Sequence, residues 1–248
     1  MYLKPISIYI AGCSPALAHA REVFAPHLTN DPATATYLLL PVPSFEPGGT
    51  VKGGMALEDI LALCSPDVVV IGGNLNHPAL DGYQTIDLLN DPFYVTQNAA
   101  ITAHCALGLI LTDLPVTLPE QEILIIGYGR IGKCMAKLLK DLGAAVSVAA
   151  RKDADRAMAE AMGFRSIAPG GWNLNTYRVI VNTAPAPLLD AADCASNALL
   201  LDLASVQGIT GDRVNWARGL PGICSPESSG KLIAKTALRL IFEKESSI

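Results

Sequence analysis

The amino-acid sequence predicts an α/β protein of two domains, each a doubly wound parallel sheet, and three observations carry that prediction. Short apolar runs of strand length alternate with helix-length segments along most of the chain. Those runs are continuously apolar instead of alternating with polar residues, as in strands covered by helices on both faces. At 248 residues the chain also exceeds one average domain, for which roughly 100 to 200 residues is usual. Half of the residues are apolar and 17% are charged, which suits two modest cores and excludes a disordered or fibrous chain. The expected division is a first domain over residues 1–97, a second over 98–227, and a C-terminal helix over 228–248 that folds back onto the first.

Each element has its own signal. ISIYIAG (6–12) reads as the first strand and an Ala-rich segment around 15–28 as the first helix. TYLLLPV (36–42) is the next strand, a helix follows around 56–64, and DVVVIGG (67–73) is the third strand. Between them PVPSFEPGGTVKGG (41–54) carries three prolines and four glycines; it is an irregular loop serving as a lid or crevice wall, or a passive surface loop. NDPF (90–93) is turn-like, and NAAITAHCALGLILTDL (98–114) is a helix entering the second domain, closed by Pro115 and Pro119. The alternation then restarts with EILIIG from Glu122, a helix to about Leu142 with Gly143 as its C-cap, AAVSVAA (144–150), and a helix through Ala161. RVIVNT (178–183) and ALLLDLA (198–204) are further strands, and a last helix runs from about Ser228 to Glu243.

Several function classes are excluded. The net charge is −5 and no Lys/Arg run occurs, so the basic footprint of a nucleic-acid binder is missing. No signal-type segment is expected and no apolar run approaches the roughly 20 residues of a membrane helix, so a cytoplasmic protein without membrane partners is expected. The six cysteines are scattered, with no CxxC pair and no Cys/His cluster, which argues against a disulfide framework and against a metal site.

Chemistry enters at IIGYGRIGK, residues 125–133. Gly127 permits a tight turn, Gly129 lets a pyrophosphate approach the backbone, and Gly132 lets helix and strand pack closely; Tyr128, Arg130 and Ile131 fill the positions between. The motif follows a strand and opens the helix RIGKCMAKLLKDL, whose N-terminal amides suit a phosphate. A purely structural βα turn is the alternative. The second domain is therefore expected to be a Rossmann dinucleotide-binding domain. Where an NAD binder places an acid for the ribose 2′-hydroxyl, this chain has Arg151 and Lys152; two cations there favour the 2′-phosphate of NADP, with NAD as the alternative cofactor. Asp153 and Asp155 read as the cap of the following helix. Thr183, Ala184 and Pro185 are placed beside the nicotinamide ribose, and Ala204 and Ser205 at the reactive ring, because both segments follow strands of the same sheet. Asp202 reads as a structural acid at a strand end.

The glycine turn, NTAP, LLDLAS, GLPG and SPESSGK occur in that order, and with them the second half closely resembles the A subunit of dipicolinate synthase, over roughly residues 90–245. The resemblance implies oxidation of a cyclic dihydrodipicolinate-type diacid to pyridine-2,6-dicarboxylate in sporulation and a flavoprotein-like second subunit; a homo-oligomer is also expected. The chain departs from that family at AGCSPAL, in place of a GGD-type turn, at His104, in place of a glutamate, and at Val206, in place of a basic residue. A diverged relative acting on another small acid is the corresponding alternative.

His104 is the candidate general acid/base, since imidazole changes protonation near neutral pH; a hydrogen-bonded core histidine is the alternative. Of His19, His27 and His77 in the first domain, only His77 follows a strand. For a dicarboxylate, Ser228 and Ser229 are expected to open a helix with free amides and Lys231 to add charge, against the alternative of an ordinary serine cap. Gly73 and Asn74, after Gly72, are the substrate-side candidates of the first domain; Arg213 and Arg218 are further candidate anion partners, against the commoner alternative of solvated surface charges. Two other functions compete. A D-2-hydroxyacid dehydrogenase shares the plan, although no histidine follows His104. A catalytically silent, NADP-binding regulatory subunit is the other.

Overall fold

The structure, a computed structural model, describes residues 6–246. It divides into two compact units, one formed by the chain up to Asn98 together with the segment from Pro221 onward, the other by Ala99–Leu220. In chain order the elements are β1 (Ile8–Ile10), α1 (Pro15–Phe24), β2 (Tyr37–Leu39), α2 (Leu57–Leu63), β3 (Val69–Gly72), β4 (Thr85–Asp87) and α3 (Pro92–Asp113). There follow β5 (Glu122–Ile126), α4 (Arg130–Asp141), β6 (Ala145–Ala149), α5 (Asp153–Ala161), β7 (Arg165–Ile167) and β8 (Val179–Asn182). The chain continues through β9 (Leu189–Asp190), β10 (Leu199–Asp202), β11 (Ile209–Thr210), β12 (Asn215–Trp216), α6 (Leu220–Cys224) and α7 (Pro226–Glu245).

In the first unit β1, β2, β3 and β4 lie side by side in that order, all parallel. A parallel bridge from Ile8 to Leu28 adds a rudimentary strand on the far side of β1. The chain therefore winds away from β1 in both directions, which makes this sheet doubly wound. One face packs Ile8, Ile10 and Tyr37 under α1 and α7, and the other packs Leu38, Leu40 and Val70 under α2. Contact between α1 and α7 is close because Gly230 lies on α1: a Cβ there would sit 2.2 Å from the Ala16 carbonyl oxygen. The Tyr37 hydroxyl donates to Glu245 Oε1 at 2.6 Å, and Arg239 pairs with Asp91 at 2.7 Å. The loop 41–54 is an ordered wall: Val51 is fully buried, it bridges to Phe45 and Met55, and Phe45 stacks on His77 at 4.9 Å.

The second unit holds six parallel strands in the order β12-β10-β8-β5-β6-β7, plus the small pair β11-β9. Strand order reverses between β5 and β8, where open α/β sheets bind ligands. One face buries α3 and α4 residues such as Ala106, Ile110, Met135 and Leu139; the other buries Leu174, Tyr177 and Cys194.

Three boundaries differ from the sequence reading. α3 starts at Pro92, not near 98, because Asp91 Oδ1 accepts the Tyr94 amide at 2.7 Å and proline occupies the first turn, a start signal that resembles a turn in the sequence. α7 likewise starts with a proline in its first turn, at Pro226 behind its N-cap Ser225, here without a side-chain cap. α1 ends at Phe24 and continues as a 3-10 turn over Ala25–His27. The 22-residue α3 is also long and apolar enough, by length and composition, to cross a membrane, contrary to the expectation that no such run occurs. Ala103, Cys105, Ala106 and Ile110 of this helix are built into the core of the second unit.

Candidate cofactor site

The turn after β5 is shaped by its glycines. Gly127 has φ 94°, and its amide donates to the Ala149 carbonyl at 2.8 Å, tying the turn to β6. The Thr183 hydroxyl donates to the Ile126 carbonyl at 3.0 Å and ties it to β8. A Cβ on Gly132 would lie 2.1 Å from the Gly127 oxygen, so α4 packs directly on the turn. A Cβ on Gly129 would meet nothing within 4 Å. Gly129 is the N-cap of α4, no side chain caps that end, and Lys133 makes the first bond back, to the Gly129 carbonyl at 2.9 Å. The first-turn amides of Arg130, Ile131 and Gly132 thus face open space above Gly129, an arrangement that fits a pyrophosphate. Arg130 is exposed in that turn, where a cation opposes the helix dipole unless an anion is bound.

Beside the turn lies a cavity of about 530 Å³. Ile126 and Ala149 at the strand ends form its floor; Trp172, Pro185 and Leu188 supply apolar walls; Arg151, Lys152 and Asp155 add charge. Both cations are exposed. Arg156 holds the backbone that carries them, donating from Nη1 to the Ala150 carbonyl at 2.8 Å and the Arg151 carbonyl at 3.0 Å while pairing with Asp153. Lys152 occupies the N-cap position of α5, without a side-chain cap, and Asp153 and Asp155 lie inside the first turn. The expectation that these acids cap the helix is therefore corrected, and Asp155 puts a carboxylate on the same cavity as the two cations. Tyr128 is buried, lines this cavity and meets Phe164 edge-on at 6.3 Å; burial, helped by the Asp155 charge, pushes its phenol above the usual range.

At the carboxyl ends of β8 and β10 the polar groups are internally matched. Asp202 is fully buried, and Oδ1 accepts from the Ala204 amide at 2.9 Å and Asn182 Nδ2 at 3.0 Å. Its Oδ2 accepts from the amides of Gly208 at 2.7 Å and Ile209 at 2.9 Å. Asp202 is thus the structural acid expected. Ala184 and Pro185 line the cavity; Thr183, Ala204 and Ser205 do not, Ala204 being buried and Ser205 exposed.

The remaining candidates divide between the units. His104 lies on α3 in the second unit and is exposed, which removes the core-histidine alternative. Gly73, Asn74, Ser228, Ser229 and Lys231 belong to the first unit. The Gly73 amide donates to Ser44 Oγ at 3.0 Å, and Asn74 is exposed with φ 56°. Ser228 and Ser229 do not open the helix: Ser229 is buried, its amide donates to the Ser225 carbonyl at 3.0 Å, and Lys231 is paired with Glu227. His77 accepts the Ala79 amide on Nδ1 at 3.2 Å and caps a 3-10 turn. Sequence reasoning misses Trp172 and Arg156, since neither falls in a periodic or glycine-marked segment; only the fold brings them to the end of β6.

Residues 117–185 match the NADPH-binding domain of acetohydroxy acid isomeroreductase. Over 159 residues the chain is 28% identical to the dipicolinate synthase A subunit of Bacillus subtilis (strain 168), a match covering 59% of this chain and 54% of that protein, so it spans about half of that relative. Among solved structures, the dipicolinate synthase A subunit from Bacillus halodurans superposes with a TM-score of 0.85 at 21% identity, covering 97% of this chain and 99% of that one. The corresponding Bacillus subtilis structure gives 0.85 at 20% identity, covering 99% of each. A transhydrogenase from Sinorhizobium meliloti gives 0.68 at 17% identity, covering 89% of this chain and 77% of that one. The chain is thus a relative of the dipicolinate synthase A subunit, like it in sequence over the matched stretch and in fold along nearly its whole length.

Proposed function

We propose that this chain is an NADP-dependent oxidoreductase of the dipicolinate synthase A-subunit type, oxidising a cyclic dihydrodipicolinate-type diacid to dipicolinate. The observation that carries the reading is the pairing of an uncapped glycine turn with a cavity bearing Arg151 and Lys152 at the end of β6. Gly127, Gly129 and Gly132, with the amides between them, would hold the pyrophosphate, Arg130 its charge, and Arg151 and Lys152 the 2′-phosphate. Tyr128 and Ile131 line and support this end. Thr183, Ala184 and Pro185 border the nicotinamide ribose, and Ala204 and Ser205 the ring. When bound, the nicotinamide supplies hydride acceptance. The chain must orient the diacid and take up one proton; His104 is assigned the proton, and Gly73 and Asn74 the substrate side. A cytoplasmic homo-oligomer working with a flavoprotein-like second subunit completes the proposal.

A second reading, a catalytically silent NADP-binding subunit, is favoured by the burial of Ser229 and the pairing of Lys231. The test is reduction of NADP with dihydrodipicolinate, by the chain alone and with a flavoprotein-like partner, beside an NADPH titration. Turnover supports the first reading. Tight NADPH binding without turnover in either mixture supports the second, and no NADP(H) binding removes both.

A further inference from the structure

The turn that follows β10 is gripped from the side of β12. Trp216 Nε1 donates to the Ala204 carbonyl at 3.0 Å, and Arg218 Nη1 donates to the Ser205 carbonyl at 2.7 Å. The Arg218 guanidinium lies 5.2 Å from the Trp216 ring centroid, so the indole supports one of its faces. All of these residues belong to the second unit. Arg218 is exposed, and among the described residues these are its side chain's contacts. Its Nε and Nη2 edge, the pair of parallel donors that matches a carboxylate side-on, is left open.

Arg213, five positions earlier, is built differently. Its Nη1 donates to the Ala198 carbonyl at 2.8 Å, and its Nη2 to those of Ala191 at 2.6 Å and Cys194 at 3.1 Å. That guanidinium is a structural tie. Arg218 has one nitrogen anchored, one face supported and one fork free, at the strand end where the nicotinamide position lies. We infer that Arg218 binds one carboxylate of a planar dicarboxylate substrate through Nε and Nη2, next to Ser205. This inference rests on the oxidoreductase reading above.

The test compares pyridine-2,6-dicarboxylate with pyridine-2-carboxylate, each titrated into the full-length chain saturated with NADPH, for wild type, Arg218→Gln and Arg218→Lys. Wild type is expected to prefer the dicarboxylate by about 5- to 10-fold, the effect of a two-pronged charge-assisted contact at an exposed guanidinium. In Arg218→Gln that preference should collapse towards one while NADPH affinity holds within about twofold. Arg218→Lys, which can still donate to the Ser205 carbonyl, should keep part of the preference and serves if the glutamine variant does not fold. An unchanged preference in both variants, a parallel loss of both ligands, or no preference in wild type overturns the assignment. Loss of NADPH binding in wild type removes the parent reading, which the other outcomes leave standing.

Discussion

Replacing Arg151 and Lys152 together by alanine should abolish the preference for NADPH that the proposed function assigns to this site. Both cations belong to the cavity lining beside the Gly127 turn, and both are exposed. A hydrogen bond to a charged group contributes about 1.5 to 3 kcal/mol when shielded. Exposure to water and salt reduces this to about 1 kcal/mol for each residue. The pair then accounts for about 2 kcal/mol, or a roughly 30-fold weaker NADPH complex. NADH lacks the 2′-phosphate, so its affinity should change by less than about twofold; Asp155 stays on the cavity lining, where it can accept a ribose hydroxyl. Titrations following nicotinamide fluorescence, at low and high salt, measure both ligands in wild type and variant. Wild-type NADPH affinity should fall with salt more steeply than NADH affinity. An NADPH-to-NADH ratio that is the same in wild type and variant would refute the assignment of these cations to the phosphate.

Four further outcomes follow from single positions. Gly132→Ala would place a Cβ 2.1 Å from the Gly127 oxygen and should lower NADPH affinity at least about 100-fold by displacing α4. Gly129→Ala meets nothing within 4 Å and should leave the melting temperature unchanged while still weakening the cofactor; equal melting losses in the two variants would contradict this. Asp202→Ala leaves three amides without their acceptor and removes one of the two acceptors of Asn182 Nδ2, and should destabilise the second unit by about 3 kcal/mol, read by denaturant unfolding. Burial pushes the Asp91 carboxyl up, but the Arg239 hydrogen bond and the Tyr94 amide outweigh it and leave it below the usual range. Because the folded value is depressed, the contribution is present above about pH 4 and fades as pH falls through the lower folded value. Arg239→Met should flatten that acid-range slope in thermal unfolding followed against pH.

The apolar strands β1, β2, β3, β5, β6, β8 and β10 were legible because each is a continuous apolar run, and the glycine turn because its geometry depends on residues adjacent in sequence. β4, β7, β9, β11 and β12 were not. They are two or three residues long, several of their side chains face water, and their partners, not their own composition, make them strands. The two overlooked helix starts show a related effect. Asp91-Pro92 and Ser225-Pro226 look like turns in isolation and become caps only when an apolar helix follows on a core.

Legibility at the site follows the same physics. A pyrophosphate is held chiefly by backbone amides, so three glycines between a strand and a helix specify most of its binding surface within nine residues. A substrate carboxylate is held by side chains, and a side chain's availability depends on which distant groups already engage it. Arg213 and Arg218 make the point: they share a residue type, a segment and surface exposure. Arg213 is closed by carbonyls of Ala191, Cys194 and Ala198, while Arg218 keeps a free fork above Ser205. Lys231 shows the reverse case, a cation near a helix start whose charge is already answered by Glu227 on the preceding turn. Substrate-side function in this chain is therefore a property of who is left unpaired after folding, and Arg218, by that measure, carries the stronger claim on an anionic substrate.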